Sequence, residues 1–266
     1  MPSISALVLG LVQGLTEFLP VSSSAHLVLA SELLDYQSPG LVLETVVHIA
    51  TTLAIIIYFR QRFALVIVGF FTNANTRKLV VMLGIAFVTT SVIGLGLART
   101  GVIDFTFESP VATGFMLLIT TLALISVWRL RPQEEAGAEL DISWKVALLV
   151  GLAQGIAIFP GISRSGFTIV AGLWGGLGRR AAAEFSFLLS VPTIIAASLF
   201  EIWREPDLSG SDPQGLVIAG VVAFVTGLLA IHWLMRWLQR GRLWWFSGYC
   251  AIVGGLAVLL WGFNLL

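Results

Sequence analysis

Apolar residues run along this chain in blocks too long for a water-soluble helix. Six of them, about 42–59, 79–98, 111–128, 182–202, 215–235 and 243–263, approach the roughly 20 residues a helix needs to cross a bilayer. Two further apolar regions, 4–34 and 146–177, have a different pattern. Proline and small polar residues interrupt each near its middle, as LPVSSSAH in the first and FPGISRSG in the second. Proline ends a helix and serine caps the next, so each region predicts two half-helices meeting at a polar turn. Half-helices too short to cross predict a re-entrant hairpin, which enters and leaves on one side and needs protein or a watery cavity around its turn.

The cationic residues give this pattern an orientation. With six crossings and two hairpins, one side collects Arg60, Arg62, Arg77, Lys78, Arg129, Arg131, Lys145, Arg179, Arg180, Arg236, Arg240 and Arg242 in its loops. The other side collects Arg99 and Arg204, and Arg164 stays inside the second hairpin. The rich side is predicted to be cytoplasmic. Both termini then lie outside, the first hairpin opens outward and the second inward.

The two broken regions also align with each other. Residues 10–26, GLVQGLTEFLPVSSSAH, and 151–167, GLAQGIAIFPGISRSGF, match without gaps at seven of 17 positions, Gln13/Gln154, Phe18/Phe159, Ser22/Ser163 and Ser24/Ser165 among them. Three spans follow each hairpin, and an odd number of crossings turns the second unit upside down. The expected fold is therefore an all-α integral membrane protein of six transmembrane helices plus two re-entrant helical hairpins, arranged as an inverted-topology repeat. Such repeats place their sites near the midplane. Repeat one covers 1–130, a cytoplasmic linker 131–145 and repeat two 146–266, all in a single membrane domain.

Composition narrows the function. Hydrophobic residues make up 57% of the 266 and charged ones 11%, under half the usual share of a soluble domain. The formal net charge is zero, so no basic footprint for nucleic acid exists. One cysteine, Cys250, excludes an internal disulfide and a cysteine metal site. The N-terminal stretch has no cationic n-region and carries Gln13, Thr16 and Glu17, so it reads as working structure, not a cleaved leader.

The polar residues left in the hairpins are the candidate chemistry. Gln13 and Glu17 are four apart and share a helix face; a carboxylate at that depth is costly unless paired, hydrated or metal-bound. Ser22, Ser23 and Ser24 precede a half-helix and His26 follows within its first turn. One serine suffices for a cap, and free N–H groups there attract phosphate or carboxylate. A serine near a histidine also permits nucleophilic attack with base assistance. Ser163, Arg164, Ser165 and Thr168 lie at the second bend, where the arginine fork suits a phosphate or pairs with Glu17. His48 reads as a packing or hydrogen-bonding histidine in an apolar span, and Glu44 and Glu184 as caps or hydrated groups. Trp203, Trp233, Trp237, Trp244, Trp245 and Trp261 fit an interfacial belt. An anion with a lipid tail is the natural ligand, and a divalent cation at Gln13 and Glu17 reconciles the carboxylate with a phosphate.

At these residues the chain resembles the undecaprenyl pyrophosphate phosphatases, also called bacitracin-resistance proteins. QGLTEFLPVSSSAH at 13–26 is similar to the family's glutamate-rich motif, PGISRSGFT at 160–168 to its P-G-x-S-R-S-x-x-T motif, and AAEFSFLLSVPT at 182–193 to a further family stretch. The resemblance implies hydrolysis of undecaprenyl pyrophosphate to the monophosphate and phosphate, recycling the lipid carrier for the cell wall. It implies a divalent cation, Mg2+ or Ca2+, and a site facing the periplasm or exterior of a bacterial plasma membrane. Position by position it implies Glu17, Ser23, His26 and Arg164 as catalytic. Gln13, standing where the family also has an acid, and Glu17 would hold the metal. Ser22, Ser24, Ser163, Ser165 and Thr168 would bind phosphate with Arg164. The expected partners are undecaprenyl pyrophosphate and membrane lipids, with a homodimer as the protein assembly in view. A transporter or flippase of a lipid phosphate or small anion is the alternative; a non-catalytic scaffold would leave Glu17, His26 and Arg164 without a reason for burial.

Overall fold

The computed structural model describes residues 3–33, 41–101, 103, 106, 109–130, 140–204 and 212–263. Eleven helices and no strand occur among them: α1 Ser3–Thr16, α2 Ser23–Leu33, α3 Leu41–Tyr58, α4 Arg60–Thr72, α5 Ala74–Ala98, α6 Pro110–Ser126, α7 Trp144–Ile156, α8 Arg164–Trp174, α9 Arg179–Arg204, α10 Pro213–Gln239 and α11 Trp245–Gly262. Serine and asparagine set several starts. Asn73 caps α5, Ser109 caps α6 just before Pro110, and Ser143 caps α7. The expected linker therefore ends at Ser143, with Trp144 and Lys145 already helical; its residues 131–139, including Arg131, lie outside the described residues.

A helix stands at each of the six apolar blocks. By length and composition α5, α9, α10 and α11 can each cross a membrane, α3 with α4 forms a fifth candidate bent by 75°, and α6 is apolar but shorter, at 17 residues. The outer faces of these helices are oily. Val92, Leu122, Leu199, Val217 and Ile252 are all at least 58% exposed, a surface that only lipid covers comfortably. This is a multi-pass all-α membrane protein. Helix α4 corrects the sequence reading, which treated 60–78 as connection. Arg60 and Arg62 begin a 13-residue helix that buries none of its side chains, and Arg77 and Lys78 lie in the first turn of α5. The apolar run was too short to register as a span, and Phe59 leaves helical geometry at the bend.

The broken regions form hairpins. Helices α1, α2, α7 and α8 have 14, 11, 13 and 11 residues. At 1.5 Å per residue none exceeds about 21 Å, against a hydrocarbon core of about 30 Å. The arms of each hairpin pack on one another, and each hairpin is gripped by the other half of the chain. Gly10 and Gly14 let α1 approach α10 so closely that a Cβ would lie 2.5 Å from the carbonyl oxygens of Ala219 and Ala223. The aligned Gly151 and Gly155 do the same for α7 on α5, with Ala86 O at 2.6 Å and Ile93 at 2.7 Å. Packing partners are thus exchanged between the halves, which makes the membrane domain one unit and brings the two bends face to face.

Candidate active site

The two polar turns meet in the protein interior. Ser22 holds a positive φ of 68° and Gly161 one of 101°, so both turns reverse through left-handed residues. The Gly161 N–H donates to Ser22 Oγ at 3.0 Å, and Ser165 Oγ donates to the Leu19 carbonyl at 3.1 Å. A Cβ on Gly166 would come within 3.2 Å of Pro20. Thr120 of α6 fastens the second turn by donating to the Gly161 carbonyl and accepting from the Ser163 N–H, at 2.8 and 3.0 Å. Backbone polar groups that would be stranded in lipid are paired across the turns instead.

Glu17 sits at the centre and is almost wholly buried. Its Oε1 accepts from the Arg164 guanidinium across the hairpin boundary. Its Oε2 accepts from Gln13 Nε2 at 3.0 Å and from Ser23 Oγ at 2.5 Å. His48 Nε2 lies 3.7 Å from the same oxygen. The His48 reading from sequence is incomplete: its Nδ1–H donates to the Glu44 carbonyl at 2.8 Å, which turns Nε2 inward onto the carboxylate. The missed signal was register. Glu44, His48 and Thr51 recur along one face of α3, a polar stripe facing the hairpins in an otherwise apolar span.

The serine–histidine pairing entertained from sequence is not formed, because each residue has another partner. Ser23 gives its hydroxyl hydrogen to Glu17. His26 Nδ1 lies 2.7 Å from the Ser22 carbonyl, which can only accept, so that nitrogen carries the proton. Nε2 meets the hydroxyl of Tyr249, from α11, at 2.7 Å. The remaining serines stitch the fold. Ser22 Oγ is 3.3 Å from Ser24 Oγ, and Ser163 Oγ accepts from the Gly166 N–H at 3.1 Å as the cap of α8. Thr168 places its hydroxyl 2.5 Å from Ser186 of α9 and 2.8 Å from the Arg164 carbonyl. Glu184 is no cap: it is buried between Arg62 at 3.3 Å and Arg180 at 2.7 Å.

Three features make this arrangement chemically capable. The N-termini of α2 and α8 both begin at the site, so two helix dipoles turn their positive ends toward it. Ser23 keeps some exposure while hydrogen-bonded to a carboxylate. Gln13 Oε1 is buried beside Glu17 with no hydrogen-bond partner among the described residues. An orphaned amide oxygen, a carboxylate and a hydroxyl suit a hard cation that keeps some of its own water or arrives with a phosphate.

The geometry agrees with what the chain is similar to. The model of the bacitracin resistance protein BacA family matches residues 6–256. An undecaprenyl-diphosphatase of Korarchaeum cryptofilum is 43% identical over 267 residues, covering 96% of this chain and 97% of that protein. One from Desulfatibacillum aliphaticivorans is 38% identical over 274 residues, covering 96% and 98%, and one from Cereibacter sphaeroides 37% identical over 264, covering 98% of each. With the match spanning nearly its whole length, and with Glu17 and Arg164 joined across the two hairpin turns, the chain belongs to the BacA bacitracin-resistance family.

Proposed function

We propose that this protein is an undecaprenyl-diphosphatase, a membrane-embedded hydrolase that cleaves undecaprenyl pyrophosphate to undecaprenyl phosphate and inorganic phosphate. The observation that carries the reading is the Glu17 carboxylate, which joins a partly exposed serine of one hairpin to the arginine of the other. The relatives named undecaprenyl-diphosphatase favour it over the transporter or flippase. In this reading six transmembrane helices and two re-entrant hairpins form an inverted repeat in the bacterial inner membrane. The site faces the exterior and both termini lie outside, supported by the cationic bias of the loops.

The chain's own groups divide the work. Arg164 moves from Glu17 to the terminal phosphate, matching its planar fork to two oxygens. That frees the carboxylate to take the Ser23 proton as Oγ bonds to the terminal phosphorus. The bond from that phosphorus to the bridging oxygen breaks, and its electron pair leaves with the lipid monophosphate. Water then attacks the phosphoserine, phosphate departs and Ser23 is restored, with His26 as the acceptor of the water proton. Positioning and charge stabilisation dominate such transfers, which suits so small a set of residues. Gln13 and Glu17 would hold a Mg2+ or Ca2+ ion, whose chemistry is neutralisation of phosphate charge.

The test is phosphate release from undecaprenyl pyrophosphate by purified protein in detergent with magnesium. The expected result is release that stops with chelator and with Arg164→Ala. Retained folding with no release, together with substrate counterflow in vesicles, would replace the enzyme with a carrier.

A further inference from the structure

Tyr249 lies far along the chain from the hairpins, in α11, yet its hydroxyl reaches His26 Nε2 at 2.7 Å. The two rings are nearly parallel, 7° apart with centroids at 5.6 Å. We infer that Tyr249 is a positioning residue for the hydrolytic step: its phenol fixes the ring and tautomer of His26, keeping Nε2 as an unprotonated acceptor that takes the water proton once the phenol yields its place. The inference rests on the phosphatase reading, in which His26 takes a proton from water.

The hydrogen-bond inventory sets the tautomer. Ser22 offers a carbonyl, so His26 Nδ1 donates, and the neutral ring keeps its lone pair at Nε2. The phenol then donates to that lone pair, so its oxygen marks the place that a water molecule takes over when it passes its proton to Nε2. Without the hydroxyl only the Ser22 bond remains, and one bond lets an imidazole swing about its axis. With both, ring plane and tautomer are fixed together, the logic by which outer partners orient a functional histidine.

The rest of α11 is built to deliver this hydroxyl. The neighbouring Cys250 is buried and its thiol donates to the Pro20 carbonyl at 3.6 Å, tying α11 to the first hairpin turn. Ser247 accepts from Thr121 of α6 through its carbonyl at 3.4 Å. Farther along, Gly254 presses on Gly114, where a Cβ would come within 2.8 Å of a carbonyl oxygen. Tyr249 is thus flanked by fastened positions, while its own ring is 45% exposed. On a lipid-facing side a phenol has few partners, and this one is aimed at the histidine. Helices α1 and α6, which pack on α2, carry no ionisable side chain, and Tyr249 of α11 is the titratable side chain that meets His26 among the described residues.

The chain has three histidines, so 15N-histidine labelling with His48→Gln and His232→Gln isolates His26. In that background, which is the reference here, the Nε2 resonance is expected as an unprotonated acceptor, and Tyr249→Phe is expected to shift it. A protonated Nε2 in the neutral ring, or a resonance that Tyr249→Phe leaves in place, would overturn the inference whatever the substrate proves to be. In otherwise wild-type protein Tyr249→Phe keeps the ring and loses only the hydroxyl. It is expected to lower kcat about tenfold, roughly one hydrogen bond's worth, with KM within about twofold. The double variant His26→Ala/Tyr249→Phe is expected to be no slower than His26→Ala. A kcat equal to wild type, a faster enzyme, or additive losses in the double variant would each contradict the role. If the wild type releases no phosphate from undecaprenyl pyrophosphate, the phosphatase reading fails by itself, and the spectrum still decides whether Tyr249 sets the histidine.

Discussion

The two hairpins share a backbone plan and differ in what they carry. Both end their first arm with a buried glutamine, turn through a left-handed residue and start the second arm at a serine-bearing turn. Three of the ten differing aligned positions carry the contrast. Glu17 faces Ile158 in the alignment, Ser23 faces Arg164, and His26 faces Phe167. The first hairpin therefore holds the acid, the hydroxyl and the imidazole, and the second holds the cation. The paired glutamines share a buried Oε1 with no hydrogen-bond partner among the described residues and differ in what they donate to. Gln13 donates to Glu17, whereas Gln154 donates to Thr90 and Thr193 at 3.2 and 3.0 Å and so serves packing. The two turns thus bring complementary groups to one place, joined by the Glu17–Arg164 pair.

That asymmetry can be broken at the aligned pairs. The largest effect is expected at Glu17. Glu17→Gln keeps the shape but removes the charge that meets Ser23 and Arg164, and turnover should fall by about a thousandfold or more, the scale of losing a preorganised charge at the reacting centre. Ile158→Ala, its aligned counterpart, should leave turnover within about threefold, since this half-buried aliphatic side chain carries no charge and its truncation acts on packing; phosphate release measured side by side checks both. Next comes Ser23→Ala, expected to cost at least about a hundredfold, with a phosphorylated serine trapped in wild type and absent from the variant. A smaller effect separates the glutamines. Gln13→Leu should raise the magnesium concentration for half-maximal rate about tenfold, as loss of one ligand oxygen would, while Gln154→Leu should leave it unchanged within about twofold. The smallest is expected at His48. His48→Gln should slow turnover about fivefold, the scale of one weak polar contact, because the ring approaches Glu17 at 3.7 Å without a direct hydrogen bond.

Much of this comparison was legible in the sequence because the signals were local. Proline and serine clusters inside apolar regions marked the bends, and the gapless match of 10–26 with 151–167 marked the duplication. The depth cost of Glu17 and Arg164 left two readings of the arginine, a phosphate ligand or a partner for Glu17, and the two side chains are paired. What the sequence hid was partnership across long separations. Nothing local to Tyr249 indicates that it meets His26, or that Gly10 and Gly151 seat each hairpin on the opposite half. His48 was hidden by its surroundings, since a lone histidine in an apolar span most often satisfies a carbonyl, and this one does so while also turning to Glu17. Helix α4 was hidden by length, and Thr168 by the position of its partner Ser186 on another helix.

Stability follows from the same cross-hairpin charge. Removing Arg164 leaves the buried Glu17 carboxylate without its arginine partner, a change worth about 3–5 kcal/mol when a buried pair is broken from one side. Removing both members relieves that burden, so the fold should tolerate the double loss better than Arg164→Ala alone.

The most direct test of the shared pocket is a double-mutant cycle on phosphate release from undecaprenyl pyrophosphate, comparing wild type, Glu17→Gln, Arg164→Ala and the pair. If one carboxylate and one guanidinium act as a unit across the two turns, the double variant should be no slower than the slower single variant. Losses that simply multiply would mean that the two hairpins contribute independently, and the single pocket would have to be abandoned.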